Sequence, residues 1–303
     1  MLGTPWHVIM RFLTEERNDR PEQSLQLTNK SSVFYHAAMS SSTERFEVAL
    51  NTPAGRVTAV LDVAIGFVPV TSIVPVARRL GEDMLKLEEA RVREQGEPVS
   101  CQMGCAACCR MLVPLSPPEA FALRDYVAGL PAERQDRIRS RIDEIDQRLI
   151  SHGLASSLRE IAETVEAIPD EELDPVNRAY YALRLPCPFL ENEICSIYEA
   201  RPAACRELLV TSPASFCDDM VNNQVVPVPV GVRIGTVLGL LWSTIKSEPP
   251  RLIPLPMALE WAERHAHEAS QRWSGAELID LLLDKIWRVL SHEFQVRGQT
   301  PPS

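Results

Sequence analysis

Two stretches organise the chain: Cys101-Gln-Met-Gly-Cys105-Ala-Ala-Cys108-Cys109-Arg110, and Cys187-Pro-Phe-Leu-Glu-Asn-Glu-Ile-Cys195-Ser-Ile-Tyr-Glu-Ala-Arg-Pro-Ala-Ala-Cys205-Arg206. Seven of the eight cysteines lie in these two knots, and the eighth, Cys217, follows in Ser-Phe-Cys-Asp-Asp. The first knot supplies C-x3-C-x2-C-C and the second, with Cys217, C-x7-C-x9-C-x11-C. Neither alone has zinc-ribbon spacing. Together they offer enough soft ligands for two four-thiolate sites, or for one iron–sulfur cluster with spares. Cysteines this dense are hard to justify as packing, so metal or cluster binding is the reading for the clustered seven. For the isolated Cys217, burial and ligation explain the residue equally well. Adjacent Cys108 and Cys109 are expected to diverge, so that one serves a different metal or is simply buried. Gly104, Ala106 and Ala107 are small enough to let backbone amides approach the sulfurs.

Working outward, the chain of 303 residues is long enough for one large domain or two modest ones. A hydrophobic share of 45% and a charged share of 24% are ordinary for a globular protein. A net charge of −10 with 6% aromatic residues argues against an extended nucleic-acid surface. Residues 1–18 make no secretory signal, because His7, Arg11, Glu15 and Glu16 interrupt a short apolar run. Val57–Ala77 and Val225–Trp242 are apolar but broken by Asp62, Pro69, Pro75, Pro227, Pro229 and Arg233, so neither reads as a membrane span of roughly 20 apolar residues. The expectation is a cytoplasmic protein with no membrane or nucleic-acid partner, in which clustered cysteines bind metal rather than pair as disulfides.

The fold expected is mainly α (α+β): a helical domain around a cysteine-rich metal site, with a small N-terminal β-hairpin. Residues 1–44 read as a disordered extension, and Met39-Ser-Ser-Ser-Thr-Glu resembles a natural start, so residues 1–38 are expected to be an upstream addition. Residues 45–220 then form the hairpin and the cysteine domain, and residues 221–303 are C-terminal helices packed on the same core. Phe46, Val48 and Leu50, a turn at Asn51–Gly55, and Val57, Ala59, Leu61 and Val63 give the alternation of a hairpin. Val76, Leu80, Met84, Leu87 and Ala90 give a helical stripe ending near Gly96. Ser116-Pro-Pro-Glu119 is a helix start in which Glu119 can reach back to the serine amide. Further helices are expected at 132–150, 154–167, 231–245, 257–272 and 275–294, with an extended link at 249–256. Asp170-Glu-Glu-Leu-Asp174 reads as a solvated loop and helix start.

The second knot, with the upstream Cys-x-x-Cys-Cys-Arg, resembles the YkgJ-like cysteine-cluster family, whose members are described as zinc- or iron-chelating. The resemblance covers about Cys101–Cys217 and is carried by Cys-Pro-Phe-Leu, Cys-Ser-Ile-Tyr, Arg-Pro and Cys-Arg. It implies that Cys101, Cys105, Cys108, Cys109, Cys187, Cys195, Cys205 and Cys217 are the metal ligands. The family pattern has two residues between its first cysteines where this chain has three, which sets Cys101 apart.

Around the knots, Pro186, Pro188 and Pro202 are expected to hold the sulfurs, and Phe189, Ile194, Ile197 and Tyr198 to form an apolar shell. Arg110, Arg201 and Arg206 are read either as offsetting thiolate charge or as solvated surface. His265 and His267, two apart, point to different helix faces and are expected at the surface. The spacing of Cys101, Cys105 and Cys108 also matches the cluster motif of radical S-adenosylmethionine enzymes. Those usually carry an aromatic residue where Ala107 stands, and they continue into a barrel of alternating strands and helices, whereas helices follow here. An iron–sulfur redox protein and a zinc-stapled interaction module would use the same cysteines. No catalytic residue is expected: the sequence holds no Walker loop, dinucleotide fingerprint or HExxH helix.

Overall fold

The computed structural model describes residues 43–64, 66–166 and 168–298. Of the extension expected at 1–44, residues 1–42, with the start at Met39, lie outside the described residues. Residues 43–44 already belong to a strand. That strand, β1 (Thr43–Thr52), pairs antiparallel with β2 (Gly55–Ala64), with Thr52 opposite Gly55. The tight turn is held by Thr52, whose hydroxyl donates to the Gly55 carbonyl at 2.7 Å. Gly55 sits at φ 138°, a conformation open to glycine but strained for other residues. Val57, Ala59, Leu61 and Val63 are buried and their neighbours exposed, the alternation read from the sequence.

The rest is mostly helical. Helix α1 (Val74–Glu94) buries Ala77, Leu80, Gly81, Met84, Leu85, Glu88 and Val92. The inward face is therefore rotated from the expected stripe: Leu80 and Met84 lie on it, but Ala90 is exposed. Helix α2 (Pro117–Ala128) starts where the Ser-Pro-Pro-Glu signature places it, and the Ser116 N–H donates to Glu119 Oε2 at 3.3 Å. Then come α3 (Ala132–Ser151), α4 (Ala155–Glu163) and α5 (Asp170–Ala182). Asp170, Glu171 and Glu172 stand in the first turn of α5, where the helix dipole favours negative charge. After the short α6 (Ala203–Glu207) comes α7 (Ile234–Lys246). The single helix expected at 257–272 is two, α8 (Ala258–Arg264) and α9 (Ala266–Ala269), broken at His265. Helix α10 (Gly275–Val296) closes the described chain.

Two-residue strands tie distant parts together. Phe67–Val68 (β3) pairs with Trp273–Ser274 (β8), and Pro114–Leu115 (β4) with Ile253–Pro254 (β7). The segment expected as an extended link at 249–256 thus ends in a strand and a turn. The sheets among the described residues are all two-stranded and antiparallel, which is unlike a barrel of alternating strands and helices. One apolar core joins β2, α1, α2, α7 and α10, from Val57 to Phe294. At its centre Phe121 packs edge-on against Trp242 (5.6 Å) and beside Trp261 (5.2 Å). Among the described residues no helix is long and apolar enough to cross a membrane.

Candidate metal centre

The two knots meet through the backbone. The Cys187 N–H donates to the Cys109 carbonyl at 2.7 Å, so the second knot starts against the end of the first. Cys101 and Cys105 lie in the loop after α1, where Gly104 takes φ 86°. Cys108 and Cys109 sit on a 3₁₀ turn, Ala107–Arg110. Cys195 ends a small hairpin of β5 (Leu190–Glu191) and β6 (Ile194–Cys195), whose tip residues Asn192 and Glu193 both have positive φ, as a tight two-residue hairpin turn requires. Arg110 clamps this hairpin to the first knot, with its fork on Glu193 at 2.8 and 3.1 Å.

Cys205 rides on α6, and the placement of that helix is set by buried Glu119. Its Oε1 accepts the Ala203 N–H at 2.8 Å while its Oε2 accepts the Ser116 hydroxyl at 3.0 Å. Arg78 stands 3.8 Å away as counter-charge. Arg206 anchors the far side of α6 to Glu82 of α1. Cys217 sits on a 3₁₀ turn, Ala214–Asp218. There the Tyr181 hydroxyl donates to the Cys217 carbonyl and accepts the Met220 N–H, each at 3.2 Å.

All eight cysteines are unpaired thiols. Every one except Cys217 lines a single cavity of about 260 Å³. Burial raises the pKa of Cys187 and Cys205; for Cys108 the adjacent Cys109 thiol is the larger cause and burial the second. Cys217 is pushed up to about 11, first by burial and then by Cys101, Cys108 and Cys105. Cys108 thus stands between two groups of thiols. It acts electrostatically on Cys101 and Cys217 on one side and on Cys187, Cys195 and Cys205 on the other. The expected divergence of Cys108 and Cys109 is not complete, because the 3₁₀ turn leaves the two thiols interacting. Among the described residues, no three His, Cys, Asp or Glu side chains converge closely enough to hold one ion as they stand.

The expected apolar shell divides in two. Phe189 and Ile197 are 1% exposed and close the floor, whereas Ile194 and Tyr198 are half exposed at the rim. His265 is not a surface residue: it stacks on Trp261 at 4.1 Å and its Nε2 lies 3.3 Å from Glu163. His267 is exposed, as expected. Sequence reasoning missed Glu207, which lines the cavity, is buried, and accepts the Ile234 N–H at 2.7 Å. Burial raises its carboxyl to about 7. Its place two residues after Cys205 was the available signal.

With this geometry in view, comparison with known families gives one result. Residues 100–218 match the CxxCxxCC family model. The model is described as a "Putative zinc- or iron-chelating domain". The CxxCxxCC match spans both knots and Cys217, less than half of the chain, and leaves out the β1–β2 hairpin, α1 and the helices from α7 onward. It supports a metal-binding role for this segment. No curated protein and no solved structure matches the chain.

Proposed function

We propose that the CxxCxxCC segment holds zinc or iron through cysteine thiolates gathered from the loop 101–109 and the segment 187–217. The observation that carries this reading is that seven unpaired thiols, from distant parts of the chain, line one cavity. The donor set fits the group. Sulfur is soft and suits zinc or iron–sulfur centres. Of the lining carboxylates, Glu193 is closed on Arg110, and Glu207 keeps one oxygen on the Ile234 N–H and one buried and unpartnered, a single hard donor where a hard cation takes about six or more. No histidine lines the cavity, so an all-thiolate shell is the expectation. The eight cysteines named from the sequence remain the proposed ligands. Cys108 is the residue best placed to serve either group, and Cys217 the one that ligates only if its turn shifts toward the cavity. Bound there, the metal would staple the two knots; as an iron–sulfur cluster it would also exchange electrons.

The test is titration of the reduced full chain with zinc, or with ferrous iron and sulfide, while thiol reactivity is followed. Metal should protect at least four thiols. Cys187→Ser and Cys205→Ser should each weaken protection at least tenfold. Thiols equally reactive with and without metal would overturn the reading.

A further inference from the structure

The cysteine cavity extends past the thiols. A structural zinc site is closed, with the ion's four positions all taken by protein ligands, yet this cavity measures about 260 Å³. Besides the sulfurs, its wall includes Leu208, Leu209, Val228 and Val230, apolar surface that ligates nothing. Two arginines line the cavity, and they differ: Arg233 acts on the buried Glu207 carboxyl, whereas Arg201 has donors to spare. The Arg201 Nε–H donates to the Tyr198 carbonyl at 3.2 Å, and its guanidinium carbon lies 3.7 Å from the centre of the Tyr198 ring. The fork is thereby held in place, and neither Nη has a carboxylate partner among the described residues. The neighbouring arginines differ: Arg110 is closed on Glu193 and Arg206 on Glu82.

We propose that the cavity takes a small organic carboxylate, bound bidentate by Arg201 at the thiol end, with its apolar body along Leu208, Leu209, Val228 and Val230. This rests on the metal-binding reading of the same site, since the carboxylate would lie beside the ion. Charge offset alone does not require the fork: a lysine would serve the thiolates as well, but it lacks the paired parallel donors that match a carboxylate. The class follows from the walls, because a purely polar anion would leave the apolar arm unfilled.

The experiment is calorimetric titration of the metal-loaded full chain with acetate, butanoate, hexanoate, hexanamide and inorganic phosphate, with metal measured in every sample. Affinity should rise about fourfold per added methylene along the carboxylate series. Hexanamide should bind at least tenfold more weakly than hexanoate. Arg201→Lys should keep its metal and lose at least tenfold in hexanoate affinity. The proposal is overturned if no carboxylate binds, if phosphate binds more tightly than hexanoate, or if Arg201→Lys binds hexanoate unchanged. Loss of metal from Arg201→Lys also overturns it, since Arg201 would then serve the thiolates only. A chain that takes up no metal yet binds hexanoate through Arg201 would remove the metal reading and leave the carboxylate site standing.

Discussion

Glu119 does more for the cysteine site than its place in a helix start suggests. It is fully buried, accepts hydrogen bonds from Ser116 and from Ala203, and faces Arg78. Glu119→Ala would leave Arg78 without its buried counter-charge and the Ala203 N–H without an acceptor, a loss of about 3–5 kcal/mol. Denaturant unfolding should show that loss, and metal content should fall with it because α6 carries Cys205. A change under 1 kcal/mol would remove Glu119 from its positioning role. Tyr181 does the same for Cys217 on a smaller scale. Tyr181→Phe removes an acceptor from the Met220 N–H and a donor from the Cys217 carbonyl. Stability should fall by about 1–2 kcal/mol, and Cys217 should react faster with a thiol reagent. The Ser-x-x-Glu signature made the local half of Glu119's work legible in the sequence. The bond to Ala203, 84 residues away, was not legible, because no local pattern encodes which distant amide a buried carboxylate will meet.

Between elements, α1 meets α7 at Gly81, the tightest glycine among the described residues. A Cβ there would lie 2.3 Å from Ile234 Cγ1. In an isolated helix Gly→Ala gains about 1 kcal/mol; here the clash reverses the sign, and Gly81→Ala should cost about 1–3 kcal/mol. Adding Ile234→Ala to Gly81→Ala should recover part of that loss, since it removes the clashing atoms. Equal thermal midpoints for Gly81→Ala and the parent chain would contradict this packing. The hairpin, α2, α3 and α10 were legible because each carries a sustained period or a cap. The two-residue pairings β3–β8 and β4–β7 were not, since so short a run has no period to read. The break at His265 was hidden for a related reason: the ring's stacking on Trp261 and its contact with Glu163 are tertiary, and the sequence there still reads as one helix.

At the scale of the whole molecule, the cysteine segment shares its core with the elements on either side of it. The core that supports it runs from Val57 to Phe294, and Arg297 at the end of α10 closes on Glu88 of α1 at 3.0 Å. A chain ending at residue 220 would lose α7, α8 and α10 from that core. It should show no cooperative thermal transition, whereas the full chain should unfold in one. Two separate transitions in the full chain would contradict a shared core. The sequence announced the cysteines and let the two knots be read together, but it did not show how they would be brought together. That depends on the Cys187–Cys109 backbone bond, the Arg110–Glu193 clamp and Glu119, which act across long separations. The most direct measurement of the central claim is the metal content of the full chain purified without oxygen, by mass spectrometry, together with its visible spectrum. The account predicts at least one zinc or iron per chain, with broad absorption near roughly 400 nm if the iron is in a cluster. Metal-free, colourless protein with all eight thiols open to reagent would contradict it.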